Sequence, residues 1–213
     1  MTGIVFKQKK IVIASHNKGK IKEIKDLLKP LEIEILSTDN FNLKEPIEDG
    51  SSFEENALIK STYVSQKTGI ASLSDDSGIC FTDLNNEPGV YSARWAGENK
   101  NFNLAMSKIN DSLHKVKNPS YDCFFVCALS LCWPNGSNVT VSGKIYGKFS
   151  WPPKGNYGFG YDPIFRPLDY DKTFAEMLPE LKHNISHRAI AFKKLVNLCF
   201  PSLKNWIKIV KIN

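Results

Sequence analysis

SLSDDSGICF, residues 72–81, sets two adjacent carboxylates, Asp75 and Asp76, between the apolar residues Ile70, Ala71 and Leu73 and a second group, Ile79, Cys80 and Phe81. Ser77 and Gly78 read as a turn, which predicts a strand on either side. Neighbouring negative charges repel each other and lose hydration when they leave water. A bound cation would remove that repulsion and favour the charged forms. Sites with one or two carboxylates suit Mg2+, which keeps several waters and often bridges to phosphates. A turn in which one aspartate caps and the other faces solvent is the plainer alternative.

Outward from this stretch, Ile11 to Ala14 is a short apolar strand followed by SHNKGK. Ile21, Ile24 and Leu28 share one helical face until Pro30 stops the helix. LEIEIL (31–36) alternates as a strand with one wet face. Ser52 and Glu55 form a capping-box pattern that opens a helix to about Gln66. ICFTDL is the strand after the aspartates. A helix over 102–109 precedes a long strand over 121–132, and WPNGS turns it into VTVSGKI (139–145). GKFSWPPKGNYGFG (147–160) reads as a Gly- and Pro-rich loop, and a last helix begins near Ser186 with the stripe Phe192, Leu195, Val196 and Cys199. Strands and helices mix without regular alternation, which predicts an α/β fold with a mixed sheet.

The 213 residues are 42% hydrophobic and 23% charged, ordinary for a soluble chain forming one domain or two joined lobes. No apolar run approaches the roughly 20 residues of a membrane helix, and the stretch after Lys7, Lys9 and Lys10 is too short for a signal peptide. A cytoplasmic protein is expected. Cys80, Cys123, Cys127, Cys132 and Cys199 are an odd count without a CxxC pair and read as reduced core thiols. The net charge of +6 and pI near 9.0 invite anionic partners. The charge is mostly lysine, however, with three arginines, Arg94, Arg166 and Arg188, and no dense basic run. Arginine is the usual reader of bases.

Four further stretches can carry chemistry. In IVIASHNKGK, a helix start with backbone N–H groups, Lys18 and Lys20 can hold an anion; an ordinary cap with exposed lysines is the alternative. On SSFEENALIK, Asn56 and Lys60 share a helix face, where polar residues are exposed by default. In GNYGFGYDP, glycines beside Phe159, Tyr161 and Asp162 let backbone approach a flat ligand, or form a plain hairpin. In KHNISHRAIAF, Ser186 as N-cap puts His187 and Arg188 in the first turn, where the helix dipole disfavours positive charge unless an anion or a carbonyl-rich ring is near.

In order, SHNKGK, FEENALIK, SDDSG, PGVYSARWAG, GFGYDPIF and K-x-x-x-SHR resemble the inosine triphosphate pyrophosphatase family over about residues 10–200. The resemblance implies an elongated mixed β-sheet in two lobes with a central substrate cleft, the whole chain forming a single two-lobed domain and pairing as a homodimer. It implies Mg2+-dependent hydrolysis of ITP, dITP and XTP to monophosphate and pyrophosphate, which would keep these bases out of DNA and RNA, with no nucleic-acid or membrane partner. Ser15, His16, Asn17, Lys18, Gly19 and Lys20 would form the phosphate-binding turn, and Lys60 would meet the triphosphate. Asp76 would be the general base and a metal contact, with Glu48 and Asp75 as further metal ligands, and Ser77 would touch substrate. Phe159, Gly160, Tyr161 and Asp162 would hold the base and sugar, and Lys182, His187 and Arg188 would close over the purine. One position departs: the second residue of the first motif is often glycine in the family and is His16 here. The tail over 201–213 falls outside the shared pattern. A Maf-like pyrophosphatase for pyrimidine or methylated nucleotides is the nearest rival, but lacks the SHR helix start. A lysine-rich RNA-binding module is the rival from another class, and it should interleave aromatic with basic residues.

Overall fold

The computed structural model describes residues 4–203. The described residues thread six strands: β1 (Lys10–Ala14), β2 (Glu34–Ser37), β3 (Ser72–Phe81), β4 (Asp122–Cys132), β5 (Asn138–Phe149) and β6 (Phe165–Pro167). They form one sheet in the order β2-β1-β3-β4-β5-β6. β1 runs parallel to both β2 and β3, whereas β5 and β6 are antiparallel, so the sheet is mixed as expected. The helices are α1 (Lys18–Leu28), α2 (Phe53–Thr68), α3 (Ser92–Trp95), α4 (Phe102–Leu113), α5 (Pro179–Ile185) and α6 (His187–Cys199).

Two compact units share this chain, one built, among the described residues, from 4–76, 127–143 and 187–203, the other from 77–126 and 144–186. The divisions fall inside β3, β4 and β5. Each unit has its own core. In the first, Ile11 and Ile13 of β1, Leu73 of β3 and Leu129 of β4 pack with Ile24 and Leu28 of α1 and Phe192 and Leu195 of α6. The alternate residues Val12 and Ala14 of β1 join Val64 of α2 on the opposite face, as a period of two requires. In the second unit, Ile79, Phe81 and Phe125 pack with Met106 and Ile109 of α4 and with Phe165 and Phe174.

The main departure from the sequence reading lies at SLSDDSGICF. There is no turn. Residues 72–81 form one uninterrupted ten-residue strand. Gly78 serves close packing, since a Cβ there would sit 2.4 Å from both the Gly89 carbonyl oxygen and Ser92 Oγ. Other boundaries moved for similar reasons. Residues 29–31 form a 3-10 turn after α1, so β2 starts at Glu34. β5 runs on to Phe149 because β6 pairs with Gly147, Lys148 and Phe149. α5 had no counterpart in the sequence reading; its seven residues begin with Pro179 at the first helical position. The tail from residue 204 onward lies outside the described residues.

Candidate active site

Continuity of β3 decides what the two aspartates do. Successive strand residues point to opposite faces, so Asp75 and Asp76 meet different partners. Asp75 shares the face of Leu73, beneath α1 and α6. Its Oδ1 lies 2.8 Å from Lys20 Nζ, and its Oδ2 accepts from Arg188 Nε at 2.7 Å and from the Cys127 thiol at 3.0 Å. Asp76 shares the face of Ser72 and Ser74, beneath α2. Its Oδ1 accepts from Lys60 Nζ at 3.0 Å and its Oδ2 from Asn56 Nδ2 at 3.4 Å.

The seating of α2 on β3 comes from small polar residues rather than from an apolar stripe. Ser72 Oγ donates to the Ser61 carbonyl and Ser74 Oγ to the Ala57 carbonyl, each at 2.5 Å. Asn56, Ala57, Lys60, Ser61, Val64 and Ser65 recur at helical spacing and are all buried. The expectation that Asn56 and Lys60 are exposed is therefore corrected. Lys60 Nζ also lies 2.8 Å from Glu48 Oε1, so a buried ammonium sits between two carboxylates.

Electrostatics push the adjacent aspartates apart. Burial raises the pKa of Asp75, but Arg188 and Lys20 outweigh it and hold the carboxyl well below the usual range. For Asp76 burial dominates: Lys60 and Lys20 pull its pKa down only in part, and Glu48 adds to the rise. One carboxylate is held as an anion, and its neighbour is shifted the opposite way. Such divergence marks acid–base assignments. Lys60, whose burial alone would lower its pKa, is raised by Asp76 and Glu48 and stays charged.

Around the β1–α1 turn, Asn17 Oδ1 accepts from the Gly19 and Lys20 N–H groups at 2.9 and 3.1 Å, and Ser15 Oγ accepts from Asn17 N–H at 3.2 Å. These N–H groups, expected to face an anion, are capped within the turn. His16 Nε2 lies 2.8 Å from the Leu43 carbonyl. Lys18 is exposed, whereas Lys20 turns inward to Asp75.

The guanidinium of Arg188, fully buried, meets the anions its helix-start position calls for inside the protein itself. Nε pairs with Asp75, and Nη1 pairs with Glu23 of α1. His187 beside it is buried as well. Sequence reasoning missed Glu23 and Cys127. The Lys20–Glu23 spacing on α1 was the one available signal for Glu23; a cysteine amid apolar strand residues offers none.

The second unit holds Phe159, Tyr161, Asp162 and Lys182. Lys182 Nζ bonds Asp162 Oδ2 at 2.6 Å, and the same oxygen accepts from Phe159 N–H at 2.8 Å. Lys182 Nζ also stands 4.9 Å from the Phe159 ring centroid, a cation–π distance. Phe159 and Gly160 are half-buried, as is Ser77. Tyr161 differs: its ring is core, edge-on to Phe102, and its hydroxyl donates to the Ser92 carbonyl at 2.8 Å.

Among the described residues no three His, Cys, Asp or Glu side chains converge as a metal cage. Glu48 and Asp76 do converge on one cationic point, the Lys60 ammonium, and two carboxylates with water completing the shell are a donor set that Mg2+ accepts. Asp75 is otherwise engaged, with Lys20, Arg188 and Cys127 on its oxygens.

The Ham1 family model matches residues 11–198. The chain belongs to the Ham1 family. Its relatives include a dITP/XTP pyrophosphatase from Zymomonas mobilis, 48% identical over 191 residues and spanning 89% of this chain and 91% of that protein. A dITP/XTP pyrophosphatase from Rhizobium meliloti is 44% identical over 205 residues, covering 90% and 96%. Among solved structures, a HAM1 protein from Coxiella burnetii superposes with a TM-score of 0.82 at 35% identity, covering 89% of this chain and 98% of that one. The Staphylococcus aureus Ham1 protein gives 0.78 at 37%, covering 88% and 96%. The Ham1 fold and its mixed sheet are thus those of this chain.

Proposed function

We propose that this protein is a nucleoside triphosphate pyrophosphatase that hydrolyses dITP, XTP and ITP to the monophosphate and pyrophosphate, with Mg2+. The observation that carries the reading is the split pair on β3: Asp76, its pKa raised by burial, beside an Asp75 locked anionic by Arg188 and Lys20. The names of the Ham1 relatives support the substrate class. Asp76 accepts the proton of the water that cleaves the α,β-anhydride, since a base with a raised pKa works nearer neutral pH. Lys20 and Lys60 balance the charge of the triphosphate, and the turn Ser15–Lys20 orients it. Glu48 and Asp76 would hold the metal, which when bound would supply positive charge against the charge building on the departing pyrophosphate. Asp75 keeps Lys20 and Arg188 in place rather than ligating.

At the base, Phe159 offers a ring face, and Ser77, Gly160, Asp162 and Lys182 supply polar contacts. Tyr161 supports this segment from the core. His187 and Arg188 add donors that suit a 6-oxo purine and disfavour the amino group of adenine. The single two-lobed domain, the homodimer and the cytoplasmic location belong to the same proposal. No helix among the described residues is long and apolar enough to cross a membrane.

The test is pyrophosphate release from dITP, XTP, ITP, ATP and GTP with and without Mg2+. A kcat/KM for the first three well above that for ATP and GTP, abolished by chelator, is expected. Equal values for all five would remove the proposed specificity, and full activity in chelator would remove the metal.

A further inference from the structure

Glu48 lies in Leu43–Gly50, eight consecutive residues with neither helix nor strand and none of them buried. Such a segment has no ladder of backbone bonds and little apolar surface to hold it, yet Glu48 Oε1 reaches Lys60 Nζ at 2.8 Å. Something else must fix its path. At its start the Leu43 carbonyl faces His16 Nε2 at 2.8 Å. A carbonyl only accepts, so Nε2 carries the proton and donates. The Leu43 side chain packs beside Val12, Ala14 and Val64. At its end the Gly50 N–H donates to Asn56 Oδ1 at 2.9 Å, and the Nδ2 of the same amide donates to Asp76. Asn56 is buried, so its amide is held in orientation. A Cβ at Gly50 would lie 2.7 Å from Asn56 Oδ1, so the backbone comes close enough only as glycine. Between the anchors, Ile47 is 84% exposed.

We infer that Leu43–Gly50 is a strap pinned at its two ends, by His16 from the β1–α1 turn and by Asn56 from α2, and that these two are positioning residues which set Glu48 against Asp76 and Lys60. Asn56 ties the strap directly to the aspartate it serves. His16 ties it to the turn that carries Lys20. The histidine at this position therefore acts through Glu48, by fixing the strap, and the metal consequence rests on the function proposed above.

The experiment uses the full chain as wild type, His16→Ala and His16→Gln; glutamine presents an N–H donor at about the reach of Nε2. Hydrogen–deuterium exchange over residues 43–50 is measured without metal, and Mn2+ affinity, as the paramagnetic stand-in for Mg2+, by electron paramagnetic resonance. Loss of one such hydrogen bond predicts exchange about five- to tenfold faster at the hydrogen-bonded amides of Leu43 and Gly50 in His16→Ala, with β1 and β3 unchanged. Mn2+ affinity falls by about the same factor, and His16→Gln restores both to within about threefold. Unchanged exchange over 43–50 in His16→Ala overturns the strap. Faster exchange with unaltered Mn2+ affinity overturns its link to Glu48. A wild type that neither binds Mn2+ nor releases pyrophosphate from dITP defeats the proposed function instead, and the exchange result then decides the tether by itself.

Discussion

Replacing Lys60 by methionine keeps the length and most of the volume of the side chain while deleting the ammonium between Glu48 and Asp76. Their oxygens, at 2.8 and 3.0 Å from Nζ, then confront each other across a gap of about 6 Å at most, where two unit charges repel by about 3 kcal/mol at an effective dielectric of about 20. Glu48 is 27% exposed, and solvent screening brings the repulsion to about 1–2 kcal/mol, or about five- to thirtyfold in an equilibrium. That energy disfavours the anion of Asp76, the form required to accept a proton. On the acid side kcat/KM should therefore fall by about this factor beyond any constant loss from weaker triphosphate binding, and the extra loss should vanish as pH rises. Stability gives a second reading of the same charge. The Asp76 pKa is already raised in the folded state, so the folded protein binds more protons than the unfolded chain, and stability declines as pH climbs from the ordinary carboxylate value of about 4 through the folded value. Removing Lys60 steepens that decline. The assays are pH profiles of pyrophosphate release from dITP and urea unfolding in chelator from pH 5 to 9. A variant-to-wild-type ratio that stays flat across this range in both measurements would refute the reasoning.

Three other outcomes are expected. Asp76→Asn, which is isosteric, should retain its fold and lose about 10²–10⁴ in kcat, the usual cost of a missing general base; near wild-type turnover at saturating Mg2+ would contradict the assignment. Arg188→Ala strands the buried carboxylates of Asp75 and Glu23 and should cost about 3–5 kcal/mol in urea unfolding, with a variant as stable as wild type counting against the network. All five thiols are free and buried, and burial pushes Cys80 and Cys199 up to about 11, so none should react quickly with an aromatic disulfide reagent at pH 8 until the chain unfolds; a fast stoichiometric phase would contradict this.

Local patterns in the sequence already determined much of this protein. The apolar run Ile11–Ala14, the Ser52 cap of α2, the WPNGS turn between β4 and β5 and the stripe of α6 depend on neighbours a few residues apart, so the chain states them directly. The ordered motifs likewise pointed to the family. What no local pattern could state is which cation meets which carboxylate. SDDSG reads as a turn because Ser, Asp and Gly favour turns in isolation; it is a strand because β1 pairs with Ser72–Ser74 at its start and β4 borders β3 on the other side, and Gly89 and Ser92 leave Gly78 no room for a side chain. Once it is a strand, its pleat sends Asp75 to Arg188, 113 residues away, and Asp76 to Lys60. Asn56 and Lys60 look like a wet helix face because polar side chains ordinarily seek water. They are buried because serines on β3 bond the α2 carbonyls and the carboxylates of Asp76 and Glu48 compensate the charge, terms that arise only when segments distant in sequence are packed together.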